Sequence, residues 1–213
     1  FRSVADGTVT GPAADTIRFS AHEKDRAPLD LAAGEIDLYL DGVAPDAIQA
    51  LQEKPGVTVY SSPAQANALL LNPAPAPEGQ LNPFSIPEVR RAMQELVDRD
   101  LIARDLYRGF ATPQLAAVGP ASPDYLTAYD VIRGSGIAYD PDYARHAIAE
   151  AMTAAGATLV DGRWTYGGAP VTLIFIARVE DARRRVGDVV RAALERVGFS
   201  VEMQYLTYAP ASD

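Results

Sequence analysis

The sequence predicts an α/β fold, and three observations carry that prediction. Close to the carboxyl end, the apolar run "PVTLIFIAR" precedes a helical pattern and then a second strand pattern, "FSVEMQYLTY". A strand that returns through a single helix pairs in parallel, because only a crossover brings the chain back in the same direction. Further upstream, short strand-like and helix-like stretches alternate as far as Asn72.

The elements follow in chain order. "TIRFS" (16–20) reads as a short strand, and "DRAPLDLAAG" as a helical turn closed by Gly34, where positive φ is tolerated. "EIDLYL" alternates Ile36, Leu38 and Leu40 against polar neighbours, the period of a half-buried strand. "APDAIQALQEKPG" is a helix with Pro45 in its first turn, stopped at Pro55-Gly56. "VTVYSS" and "NALLLNP" read as two more strands, the second apolar enough to be buried on both faces. Residues 72–83, "NPAPAPEGQLNP", are an extended proline-rich connection.

Ser85 and Glu88 have the spacing of a capping box, followed by Val89, Met93, Leu96 and Val97 on one helical face. Asp98 caps a second helix carrying Leu101, Ile102 and Leu106 and ending at Gly109. Residues 119–144, with four tyrosines and three prolines, read as a long ordered loop. Asp140-Pro141 opens a helix closed by Gly156, and "TLVDGRWTY" is a hairpin around Asp-Gly. "PVTLIFIAR" is a buried strand. In the last helix Val186, Val189, Val190, Ala193, Leu194 and Val197 face inward and the arginines outward.

Composition narrows the function. Apolar residues make up 48% and charged residues 22%, which supports a packed core rather than disorder. A net charge of −9 argues against nucleic acid or an anionic membrane surface as partner. The chain has no cysteine, so thiol catalysis, disulfides and thiolate metal sites are excluded. No apolar run reaches the ~20 residues of a membrane span. The opening residues have neither a basic start nor an apolar stretch, so no signal peptide is expected in them. A chain that opens on Phe1 and ends on "TYAPASD" reads as a piece of something longer.

Chemistry-bearing residues are sparse. His22 and His146 are the only histidines, and neither falls in a metal-binding or triad spacing. "GSG" at 134–136 and "YGG" at 166–168 are turns, because neither joins a strand to a helix as a phosphate loop must. The carboxylate pairs Glu35 with Asp37 and Glu180 with Asp181 could do acid–base work, but such pairs more commonly lie on a solvated face or at a helix start. The run of arginines at 183–185 is too short for nucleic acid in so acidic a chain. Three positions could line a cleft: Asn72 at the end of an apolar strand, and Tyr125 and Tyr129 in the long loop. The simpler account of these is a turn asparagine and loop-packing tyrosines. Arg178 is the fourth candidate. It ends the apolar strand, and in open α/β sheets ligands lie beyond the carboxyl ends of parallel strands.

The order of segments carries a resemblance. "LAAGEIDLYLDGVAPDAIQALQEKPGVTVYSSP", "ALLLNP", "PFSIPEVRRAMQELVDRDLIARDLYRGFATP", "YDPDYARHAIAEAMTAAG" and "RVEDARRRVGDVVRAALERVGFSVE" together resemble the extracellular solute-binding proteins of family 5, from residue 16 to about 208. The resemblance implies the peptide- and nickel-binding component of an ABC importer, in which ligand closes between two α/β lobes. On this reading residues 1–213 are one incomplete lobe, the second, of a two-lobed periplasmic-binding-protein fold of type II, a mixed sheet flanked by helices. It implies a peptide or small-molecule ligand, a membrane permease as partner, an extracytoplasmic location, a monomer, no cofactor and no catalysis. With the three positions read from the residues themselves, the candidate ligand set is Arg178, Asn72, Tyr125 and Tyr129. Aligned through "ERVGF", Arg178 falls at or next to the arginine that holds the ligand carboxylate in similar dipeptide-binding members. Two other classes stay open from the residues alone: an effector-binding module of a regulator, which would need a DNA-binding helix-turn-helix elsewhere, and a carboxylate-dependent hydrolase.

Overall fold

The computed structural model describes residues 3–5, 8–10, 14–61, 66–116, 118–119 and 122–208. It divides into two compact units, Phe1–Val43 with Ala47–Val59 and Ala44–Asp46 with Tyr60–Asp213.

The first unit is small. Strands β1 (Ser3–Ala5) and β2 (Thr8–Thr10) pair antiparallel, with Val4 opposite Val9. Helix α1 (Ala27–Ala33) begins with Pro28 in its first turn and ends at Gly34, whose φ of 76° the sequence anticipated. Asp30 of α1 is buried, and its carboxylate accepts from His22 Nδ1 at 2.7 Å and Arg26 Nε at 3.1 Å. Helix α2 (Pro45–Gln52), whose first two residues are assigned to the second unit, starts on its proline and buries Leu51. The two strands expected at 16–20 and 35–40 are absent: both segments are irregular, and Leu38 and Leu40 face solvent. Alternation marks a segment able to join a ladder, but a strand exists only where a partner offers its backbone.

The second unit holds the main core. The segments expected as strands at 57–62 and 67–73 are also unpaired where described, and Leu70 is exposed rather than buried on two faces. Asn82 caps a short 3-10 turn, Pro83–Ser85, by accepting from Phe84 N at 3.0 Å. Helix α3 (Pro87–Leu96) follows, so the expected capping box does not form. Ser85 Oγ donates to the Asn82 carbonyl instead, and the residue before α3 is Ile86, held extended by the proline after it. Val89, Met93 and Leu96 are buried along one face as expected, joined by Ala92, while Val97 caps the helix end half-buried.

Asp98 then accepts from Leu101 N at 2.8 Å and caps the turn α4 (Arg99–Leu101), which widens into a π-turn over Ile102–Leu106. Helix α5 (Pro123–Gly134) stands in the middle of the stretch expected as a long loop. Ser122 and Pro123 start it, and none of its residues is buried. Helix α6 (Pro141–Ala154), capped by Asp140 through Tyr143 N at 2.9 Å, packs Ala144, Ile148, Ala151 and Met152 against α3.

Strands β3 (Thr158–Val160), β4 (Arg163–Tyr166) and β5 (Ala169–Pro170) form an antiparallel meander. Asp161 and Gly162, at φ 48° and 75°, make the tight primed turn that Asp-Gly predicts. Strand β6 (Thr172–Arg178), helix α7 (Arg183–Arg196) and strand β7 (Ser200–Leu206) are the parallel unit read from the sequence, in the register Thr172↔Ser200 to Arg178↔Leu206. Gly187 brings α7 close to the sheet: a Cβ there would lie 2.8 Å from the Ala177 side chain. Strand β6 is buried on one face only. Ile174 and Ile176 are 65% and 46% exposed opposite the polar Glu202 and Gln204, because α7 covers the other side. Phe199, Ile148, Met152 and Val89 centre the core, and Trp164 enters it by donating Nε1 to the Val197 carbonyl at 2.8 Å.

Candidate functional site

The carboxyl end of β6 gathers the charged chemistry of the second unit. Apolar side chains and the parallel ladder fix β6 as far as Arg178, whose side chain is half-buried. Arg178 Nε donates to Glu180 Oε2 at 3.1 Å, and its guanidinium lies over the Tyr208 ring at 4.6 Å. Glu180 spends its other oxygen, Oε1, on the Tyr208 backbone N–H. The Arg178 hydrogen bond, with that amide helping, holds the Glu180 carboxyl below the usual carboxylate range. Both Nη groups of Arg178 have no hydrogen-bond partner among the described residues.

A second set of groups stands beside this one. Asp181 accepts from Arg183 Nε at 2.7 Å and from the Arg183 backbone N–H at 2.9 Å, so it satisfies the first free amide of α7. Arg183 is therefore half-buried in an ion pair and not on the outer helix face. The π-turn carries Tyr107 to the same neighbourhood, where burial pushes its phenol up and Asp181, Arg183 and Arg185 act on it. Asn67 Nδ2 donates to the Tyr107 hydroxyl at 2.7 Å. Arg108 follows with φ at 52° and donates to Asp46 at 3.0 Å, while Arg185 approaches the same carboxylate at 3.6 Å. These bonds hold the Asp46 carboxyl below its ordinary value, Arg108 first. A π-turn followed by a non-glycine residue at positive φ is local strain, and such strain is retained where a side chain must be aimed.

The other sequence candidates lie apart from Arg178. Asn72 Oδ1 accepts from Ala74 N at 3.0 Å, an Asx-type turn, and its carbonyl accepts from Asn82. Tyr125 and Tyr129 are on α5 and not in a loop, their rings 6.0 Å apart, with Arg133 beside Tyr129. Among the described residues no hydrogen bond, ion pair or ring contact joins these three to Arg178. Glu35 and Asp37 are exposed in the first unit, and His146 is exposed on α6. Among the described residues no group of three or more His, Asp or Glu side chains could hold a metal ion. No helix there is long and apolar enough to cross a membrane. A shallow depression on α6, lined by Ala149, Glu150, Thr153 and Ala154, offers no convergent polar groups.

Tyr208 is the residue that reading the sequence missed, because the pairing that brings it to Arg178 is not written in its own segment. It stands two residues beyond the end of β7, whose last residue, Leu206, pairs with Arg178, and its ring meets the guanidinium from there.

Comparison with known proteins supplies the family and the fold. Residues 9–212 match the bacterial extracellular solute-binding proteins, family 5 Middle. None of the curated proteins matches by sequence. Among solved structures, NikA from Brucella suis, in complex with Fe(III)-EDTA, superposes with a TM-score of 0.67 at 22% identity, covering 88% of this chain and 36% of its own. The oligopeptide-binding protein AppA from Bacillus subtilis, bound to a nonapeptide, gives 0.63 at 18%, covering 89% and 36%. A mannohexaose-bound periplasmic oligopeptide-binding protein from Thermotoga maritima gives 0.60 at 24%, covering 87% and 34%. The chain thus spans about a third of the length of the structures it matches.

Proposed function

The chain belongs to the bacterial extracellular solute-binding proteins of family 5, and from that premise we propose that it serves in the capture of a peptide or other small solute outside the membrane for an ABC importer. The mixed α/β unit is then ligand-binding lobe, and a membrane permease receives the solute from the full-length protein. One observation supports putting the site here: Arg178 ends a parallel strand with its guanidinium stacked and both Nη groups without a partner among the described residues. A fork of two N–H donors pairs both oxygens of a carboxylate at once, which suits the terminal carboxylate of a peptide or the acid group of a small solute. Asn72, Tyr125 and Tyr129 are assigned secondary roles, Asn72 through the turn it fixes and the tyrosines through the exposed surface of α5.

Catalysis is not part of the proposal. Glu180 and Asp181 are engaged by Arg178, Tyr208 and Arg183, which supports positioning rather than proton transfer. The test offers the full-length protein a pool of di- to pentapeptides and small organic acids, then identifies by mass spectrometry what it retains. Retention of an intact carboxylate-bearing solute is expected. Conversion of a pool member, or retention of uncharged members alone, contradicts the proposal.

A further inference from the structure

We infer that Glu180 and Tyr208 are positioning residues that fix the Arg178 guanidinium end-on, so that the site takes a planar carboxylate through the two Nη groups; this rests on Arg178 being the anion-binding group proposed above. A guanidinium has two usable edges and two faces. The Nε edge is taken by Glu180 Oε2 at 3.1 Å and one face by the Tyr208 ring at 4.6 Å, while the Nη edge has no partner among the described residues. A carboxylate competing for the ligand's place would be expected on the Nη edge. Glu180 instead bonds the nitrogen nearest the strand, which leaves the fork free.

The same carboxylate also accepts the Tyr208 backbone N–H, so one side chain sets both the arginine and the ring that supports it. The three groups close a loop across the ends of β6 and β7, whose register brings residues 178 and 206 side by side. An arginine carries much rotamer entropy, and one held on two sides before the ligand arrives loses less of it on binding. Arg184 over Tyr205 shows the difference. Its guanidinium lies 5.2 Å from that ring with no carboxylate bonded to it among the described residues.

The test uses the full-length protein with 15N-labelled arginine and sodium acetate as the probe, against sodium chloride at equal ionic strength. The Arg178 Nε resonance is identified by its loss in Arg178→Lys. A saturable, acetate-specific shift of that resonance is expected. Tyr208→Leu, which keeps an apolar side chain and removes the ring, should raise the acetate midpoint about threefold or more, the scale of one cation–π contact. Tyr208→Phe should restore it. Glu180→Gln, able to satisfy only one of the two donors, should raise the midpoint in the same direction. Thermal melting of each variant within a few degrees of the parent separates positioning from unfolding. Unchanged midpoints in Tyr208→Leu and Glu180→Gln, or a tighter midpoint in Glu180→Gln, overturn the inference while leaving Arg178 as the anion group. An Arg178 resonance indifferent to acetate overturns both.

Discussion

Asp30 and Gly198 show how single residues carry the two units. The Asp30 carboxylate is buried with His22 and Arg26 as partners, and the His22 bond is the largest cause of its lowered pKa. A carboxyl depressed in the folded state contributes stability above its ordinary pKa. It loses that contribution as pH falls through the lowered folded value. The protection factors of the α1 amides, taken against the intrinsic rate at each pH, should therefore hold at neutral pH and fall as the solution is acidified past that point. Asp30→Asn should remove the acid-dependent part of the change; an unaltered acid profile would contradict the assignment. Gly198 stands at φ 96°, and a Cβ there would lie 2.9 Å from Leu159 Cδ1 and 3.1 Å from the Trp164 ring. Gly198→Ala should cost roughly 1–3 kcal/mol in denaturant unfolding, from strain and overpacking together. Gly42→Ala, with open space around it and no positive φ, should cost nothing measurable.

At the scale of elements, the structure separates what local chemistry decides from what partners decide. The Asp140-Pro141 start, the Asp98 cap and the Asp161-Gly162 turn all appear where their residues stand, because each rests on a bond within a few positions of chain. The β6–α7–β7 unit was legible as well, since a strand, an amphipathic helix and a strand in that order leave little freedom of topology. Among the described residues, the strands proposed at 16–20, 35–40, 57–62 and 67–73 were not found, because the partner that makes an extended segment a strand is not written in the segment. Helix α5 was hidden for another reason. Ser122-Pro123-Asp124 reads equally as a loop and as a helix start, and no buried apolar face breaks the tie. The proposed site was half legible: Arg178 was singled out by its place at the end of β6, but the groups around it needed the β6–β7 register. Caps offer a direct check. Asp140→Ala should lower stability by about 1 kcal/mol through loss of the bond to Tyr143 N. Ser85→Ala should have a smaller effect, since Ser85 caps no helix here. Equal losses in thermal unfolding would restore the capping-box reading.

For the molecule as a whole, the chain belongs to the family 5 solute-binding proteins, and the activity proposed for it is the holding of a solute at the end of β6. The central claim is that Arg178 supplies the charge that holds the solute's carboxylate. Calorimetry on the full-length protein, with the carboxylate solute it retains from the pool, tests this most directly. Arg178→Ala should weaken binding by about 2 kcal/mol, the worth of a charge-assisted bond. Arg145→Ala, which removes an exposed guanidinium paired only to Asp142 on α6, should leave the affinity unchanged. Equal affinities for the Arg178→Ala and Arg145→Ala proteins would contradict the account and remove Arg178 from the site.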